Sequence, residues 1–315
     1  MALRMQARTR VTKKSEESQK VLDALDEYLE SNFEEPMRWL VHFWKDQATV
    51  MLYKDLRELI IGETEPEDYF NTWFQDYSKV LADKMTPEWE AAFMQGWNNM
   101  SGLKGIPLES GSEVWVRDWI KERAGNMVTN CTETQVKAIR YLIAECQSKH
   151  MGSAETARYI RPTIGLTEDQ AAANLRYYNN VKEKLQKDHP RMKPETVEQR
   201  ARTSAARYAE KQLRSRAETI ARTEIAQAYN NGTDSYIREA IRQERMPKME
   251  KKWSTALDGD DHVCTPCKEL ENRTIGMDEE FKTKSGRKEV TALLPPLHPR
   301  CKCAVKYVEV KDENI

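Results

Sequence analysis

From Val21 onward the apolar residues recur with the period of a helix. Val21, Leu22, Leu25, Tyr28 and Leu29 repeat at three and four residues, so they share one face. Pro36 sits at the start of a longer helical stretch running to about Ile61, and Gly62 stops it. Thr64-x-x-Glu67 reads as a capping box, in which hydroxyl and carboxylate each satisfy an otherwise orphan backbone N–H. The helix behind it carries Tyr69, Phe70, Trp73, Phe74, Tyr77, Val80 and Leu81 on one face. Thr86-Pro87 is expected to cap the next, which bears Trp89, Phe93 and Trp97.

Residues 101–112, SGLKGIPLESGS, concentrate Gly, Ser and Pro and form the best linker candidate. A helix over 114–123 follows. Thr132-x-x-Gln135 reads as a capping box before Val136, Ile139, Leu142, Ile143 and Cys146. Gly152-Ser153 ends that helix and caps a short one through Ile160. Thr167-x-x-Gln170 caps a third, with Ala171, Leu175, Tyr178 and Leu185 on one side. Pro190 and Pro194 break the chain before its longest helix, over about 195–230, which Asn230-Asn231-Gly232 is expected to stop. After Met249 the character changes. A strand at 252–257 ends in the turn Asp258-Gly259-Asp260, a polar loop covers 269–290, and 304–310 suits a second strand.

Composition narrows the functional classes. The chain has 315 residues, 39% hydrophobic and 32% charged, enough for a core under a heavily solvated surface. A net charge of −1 gives no global field toward nucleic acid, so any such affinity must be local. No window approaches eighteen uncharged apolar residues, so no transmembrane helix is expected. The basic start, MALRMQARTRVTKK, lacks the apolar core of a secretory signal, and a reducing compartment is the default for the cysteines. Residues 1–14 read as a basic arm, either solvated or touching DNA or an acidic surface. Seven of the eight tryptophans lie between Trp39 and Trp119. They serve either as a bundle core or as partner-docking anchors.

Between 181 and 222 there are twelve Lys or Arg against six acids. Arg200, Arg207, Lys211 and Arg214 recur at offsets of 7, 11 and 14, one stripe of a helix. Such a stripe binds phosphates without reading sequence, or is simply a solvated back.

The densest chemistry lies between Trp253 and Tyr307. Cys264 and Cys267 form C-x-x-C, Cys301 and Cys303 form C-x-C, and His298 precedes Cys301 by three residues. Two short soft-ligand clusters about thirty residues apart are what a structural Zn2+ site requires, with five candidates for four seats. Cys303 takes a seat only if the backbone kinks, because in a strand it would face away from Cys301. A redox dithiol is the competing reading, but a thioredoxin-like C-x-x-C should open a helix within a βαβ pattern, which nothing nearby suggests. Cys131 and Cys146 read as helix-packed apolar residues.

The order of elements carries a resemblance: Arg222-Thr223-Glu224, Tyr229-Asn230-Asn231-Gly232, Trp253, Asp258, C-x-x-C, then P-P-x-H-P-x-C-x-C. The chain resembles the phage Mu protein F-like minor capsid, or phage head morphogenesis, family over about 130–310. Lys302 stands where that family more often has Arg. The resemblance implies a low-copy structural protein inside the capsid of a tailed bacteriophage virion, made in the host bacterial cytoplasm and affecting DNA packaging or ejection. It implies the portal protein as partner, through the region before the shared domain. Scaffold or major capsid protein and genomic double-stranded DNA are further partners, with no membrane. It also implies that Arg222 and Glu224 pair charge between the long helix and the zinc-bound module.

The fold expected is mainly α: a basic arm (1–14), an aromatic-rich helical N-terminal domain (15–110), a helical part (111–248) and a zinc-knuckle β module (249–315) within an α+β C-terminal domain. Two other functions compete. A non-sequence-specific DNA-binding zinc protein would have to use the 181–222 helix or the arm, because 254–280 holds eight acids against two bases. A metal-dependent hydrolase or nuclease could use Asp258, Asp260, Asp261 and His262. Yet H-E-x-x-H, P-loop and nucleophile-elbow motifs are absent, and no enzyme activity is expected.

Overall fold

A computed structural model describes residues 14–50, 53–62, 66–108, 111–255 and 264–310. Its elements in order are α1 (Glu16–Asn32), α2 (Glu34–Val50), α3 (Tyr53–Ile61), α4 (Pro66–Lys104), α5 (Ser112–Ser148), α6 (Ser153–Ile160), a 3-10 turn (Arg161–Thr163), α7 (Glu168–Asp188) and α8 (Pro194–Arg242). Then come β1 (Met249–Ser254), α9 (Thr265–Leu270), β2 (Thr274–Gly276), β3 (Phe281–Ser285), β4 (Lys288–Ala292) and β5 (Ala304–Glu309). The chain is mainly helical, with small antiparallel sheets at its C-terminal end.

Local chemistry explains many of these boundaries. Ser15 caps α1 by accepting from Ser18 N–H, with Glu16 and Glu17 in the first turn where the helix dipole favours anions. Thr167 and Gln170 form the expected capping box at the start of α7, the two bonds measuring 3.1 and 3.3 Å. Thr64 lies outside the described residues, as do arm residues 1–13 and Asp258, Asp260, Asp261 and His262.

Three expected breaks are absent, and one unexpected break is present. α4 runs through Thr86-Pro87, with Pro87 inside it. α5 runs through Thr132-Glu133-Thr134-Gln135, and Gln135 instead donates to Gln47 Oε1 in the interior, 3.1 Å away. The 36–61 stretch is two helices, α2 and α3. The largest departure is α8, which continues past Asn230-Asn231-Gly232 for ten more residues to Arg242.

Packing explains why Asn-Asn-Gly does not end that helix. The side chains of Asn230 and Asn231 bond back to the carbonyls of Ala226 and Gln227, at 2.9 and 2.7 Å, inside the helix they were expected to close. Gly232 lies against α4: a Cβ there would sit 1.9 Å from the Phe93 carbonyl oxygen. Reciprocally, a Cβ on Gly96 of α4 would sit 2.1 Å from the Tyr229 carbonyl oxygen. The two glycines let the two backbones touch where the helices cross.

Further along α8, Val197, Ala201, Ala205, Ala209, Leu213, Ala217 and Ala221 bury one row at four-residue spacing, and α7 and α2 pack on this part of the helix. The described tryptophans are buried or half-buried, as a core requires; Trp44 and Trp89 are the deepest before the sheet. Val80 is exposed, and the side chains of Tyr69, Phe70, Trp73, Phe74, Tyr77, Leu81 and Cys131 lie outside the described residues. Among the described residues no helix is long and apolar enough to cross a membrane.

The stretch expected as a polar loop, 269–290, contains β2 and most of a hairpin, β3–β4. Its alternating small and charged residues hid it, since only Phe281 and Thr283 face inward. β1 is the central strand of the sheet β2-β1-β5, antiparallel to both neighbours, with Trp253 opposite Val305 and Lys251 opposite Tyr307. Lys251 is buried. Its Nζ donates to the carbonyls of Glu279 and Leu293, each at 2.9 Å, pinning both flanks of the hairpin to β1. Tyr307 donates to Asp234 at 2.8 Å, and Arg238 ties Asp234 to Asp278, so the sheet is fastened to the end of α8.

Candidate metal centre

The C-x-x-C arises where the chain leaves β1 and re-enters as α9. Cys264 is the N-cap residue of that helix, and Pro266 in its first turn has no N–H to leave unsatisfied. The motif therefore does open a helix after a strand, contrary to expectation. The helix spans six residues, and the strands around it are antiparallel, so it is not a βαβ unit.

The second cluster is built by a turn. Cys301 N–H donates to His298 O at 3.1 Å, and Arg300 takes the left-handed conformation with φ +60°. That kink turns Cys301 and Cys303 inward together: residues 301–303 precede β5, so strand alternation does not yet apply, and both thiols are buried.

The five donors converge as two triplets, Cys264–Cys267–His298 and Cys267–Cys301–Cys303, each with its ligand atoms within 4.8 Å of one another. Cys267 belongs to both. His298 Nε2 lies 3.0 Å from Cys264 Sγ and 3.3 Å from Cys267 Sγ, and Cys267 and Cys301 Sγ are 3.8 Å apart. Two thiolates on one tetrahedral ion at about 2.3 Å each sit about 3.8 Å apart. The His298 ring donates from Nδ1 to Pro299 O at 2.8 Å, which turns Nε2 toward the sulfurs. The group can hold a metal ion, and its soft donors suit one that prefers thiolate and imidazole.

Crowding sets the charge state of these groups. Hydrogen bonds from Cys267 and Cys303 hold the Cys301 thiol well below the usual range, while the same contacts push Cys267 far up. The bond to Cys301 raises His298 to about 9.

What fixes the knuckle to the rest of the molecule was not foreseen. Arg300 donates through its backbone N–H to Thr223 Oγ1 at 3.1 Å and through Nε to Thr219 Oγ1 at 2.7 Å, and its Nη2 reaches Ser215 O at 3.2 Å. Lys302 pairs with Asp26 at 2.7 Å and with Glu30 at 3.4 Å. Arg222 grips Glu30 with two bonds of 2.8 and 3.0 Å, pairs with Glu218, and lies over the Phe33 ring. Arg222 thus meets the knuckle only through shared acids: Glu30 with Lys302, and Glu218 with Arg300. Glu224 faces elsewhere and takes a two-pronged bond from Arg123 of α5. Two cations flanking the candidate ligand Cys301 were the available signal for this clamp.

Trp253 is fully buried against Phe281, ring centroids 4.9 Å apart. Arg200, Arg207, Lys211 and Arg214 are all exposed along α8.

Residues 163–306 match the family described as Phage Mu protein F like protein. The matched stretch takes in α7, α8, the sheet and all five donors. This part of the chain is similar to the phage Mu protein F-like family. The Mu F-like stretch begins at the 3-10 turn and leaves α1–α6 outside it. No curated protein and no solved structure matches the chain.

Proposed function

We propose that this is a structural minor capsid, or head morphogenesis, protein of a tailed bacteriophage, carried in low copy inside the prohead and associated with the portal. A zinc ion held by four of Cys264, Cys267, His298, Cys301 and Cys303 ties its C-terminal module together. The observation that carries the reading is the coincidence of the family match with the converging thiols and imidazole.

The metal's role in this reading is architectural. A catalytic zinc keeps a coordination seat open for water or substrate, whereas here five protein donors compete for four seats. A small β module buries little apolar surface, and ligation could supply on the order of 10 kcal/mol of apparent folding free energy. The site would thus hold the module in shape for a partner.

Co-expression of the full chain with portal and scaffold tests the reading. The expected result is sub-stoichiometric incorporation into proheads that depends on portal, with about one zinc per chain by elemental analysis. Proheads that take up the chain equally well without portal would remove the portal assignment. A folded chain carrying no transition metal would remove the zinc.

A further inference from the structure

We infer that Lys14 is a bolt between the metal centre and the start of the helical body, so that metal loading and the anchoring of Lys14 stabilise each other. The inference rests on the zinc-bound reading above and extends it to a residue at the other end of the chain.

Lys14 closes the basic stretch 1–14, yet its side chain is only 6% exposed. Its Nζ donates to Thr255 O and lies 3.5 Å from Glu271 Oε1. Burying an ammonium is costly unless it is paired and hydrogen-bonded, and these two partners supply both. The carboxylate is itself held in place. Glu271 Oε2 accepts from the Thr255 N–H at 2.6 Å and from Thr255 Oγ1 at 2.7 Å, which leaves Oε1 for Lys14 and, at 3.4 Å, for Asn272 Nδ2.

Both partners belong to the metal module. Thr255 is buried where the chain leaves β1. Glu271 is the C-cap residue of α9, whose N-cap is Cys264 and whose third residue is Cys267. With six residues, α9 is far shorter than the roughly 12–15 at which an isolated helix becomes even marginally stable. It therefore depends on what holds its ends. At its far end the Asn272 N–H donates to Trp253 O at 3.0 Å, and Leu270 is buried. At its near end stand two candidate metal donors. An ion there steadies the helix that carries the Glu271 carboxylate to Lys14.

The next residues are gripped by the second half of the module. Lys306 of β5 donates to Ser15 Oγ at 3.3 Å and pairs with Glu17 at 2.8 Å. A contact made only to the ordered module must favour that order in return, because linkage is reciprocal. Lys14 is thus a positioning residue for the metal centre, acting through Glu271 and α9.

Two readouts on the full chain test this: pulse acylation of lysine amines followed by mass spectrometry, and competition for zinc with a chromophoric chelator. In the zinc-loaded protein Lys14 should be acylated about tenfold or more slowly than Lys20, whose side chain is 60% exposed. Removing zinc should bring Lys14 close to Lys20. Glu271→Gln keeps an oxygen for Thr255 but loses the charge; it should speed acylation of Lys14 with zinc still bound, while the buried Lys251 stays protected. Lys14→Gln and Glu271→Gln should each yield zinc to the chelator about fivefold or more readily than wild type. Lys20→Gln, which removes an exposed surface pair with Glu16, should hold zinc like wild type.

Three outcomes overturn the inference: Lys14 acylated as fast as Lys20 in the loaded chain, protection unchanged when zinc is removed, or wild-type zinc affinity in both variants. Each of these leaves the zinc reading standing. A purified chain that binds no zinc at all would instead remove that reading and the coupling together.

Discussion

Cys267 belongs to both donor triplets, so it is the one donor whose loss breaks both. Cys267→Ala should abolish bound zinc, while the two variants that each remove one member of the surplus, Cys303→Ser and His298→Ala, should differ from one another in retained metal. Elemental analysis of the three purified chains decides which donor is spare. Gly232 offers a test of the helix crossing. Gly232→Ala places a methyl inside contact distance of the Phe93 carbonyl and should cost on the order of 3 kcal/mol. Gly102→Ala, in α4 with nothing within 4 Å, should instead stabilise by up to about 1 kcal/mol. Melting curves should move in opposite directions. Glu239 is a third residue with a clear sign. Bonds from Arg242, opposed by burial and helped by Gln243 and Trp115, depress its carboxyl to about 2. A depressed folded value means the stabilisation is fully present above the unfolded pKa near 4.5 and is lost as pH falls toward 2. Glu239→Gln should make the fall of melting temperature between pH 4.5 and 2.5 shallower.

At the scale of elements, the knuckle is clamped from two directions, by Arg300 onto α8 and by Lys302 onto α1. Arg300→Ala removes the side-chain bonds to Thr219, Ser215 and Glu218 but leaves the backbone bond to Thr223, so zinc should stay bound. Hydrogen exchange of residues 298–303 should rise, while that of β1 should not. The cysteine and histidine spacings, the Thr167 box and the presence of a strand on either side of them could be read from residue types, because each is a local pattern with its own chemistry. The continuity of α4, α5 and α8 could not. Pro87, Thr132 and Asn230-Asn231-Gly232 are breaking signals by local rule, and contacts with sequence-distant partners override them: Gly232 answers to Phe93, and Gln135 to Gln47. The β3–β4 hairpin was hidden for the opposite reason, having too little apolar alternation to announce itself.

For the whole molecule, the first and last described segments are neighbours. Glu17 of α1 pairs with Lys306 of β5 at 2.8 Å and with Lys104 of α4 at 2.6 Å, and one hydrophobic core runs from Val21 to Tyr307. Chelation should therefore act on a tethered module. Trp253 emission should shift to the red while the helical signal in far-ultraviolet circular dichroism changes little, because the sheet contributes few helical residues. Loss of the helical signal in step with Trp253 would mean the ion holds the entire fold. The 49 residues of α8 make a single rod about 73 Å long. Because it is unbroken, its two ends cannot turn independently. Inserting one residue midway, near 218, would swing the cationic half by about 100° around the axis relative to the sulfur cluster, whereas a seven-residue insertion would nearly restore the original azimuth. A rod of this kind fixes not only how far apart two gripped objects are held but which way each must face.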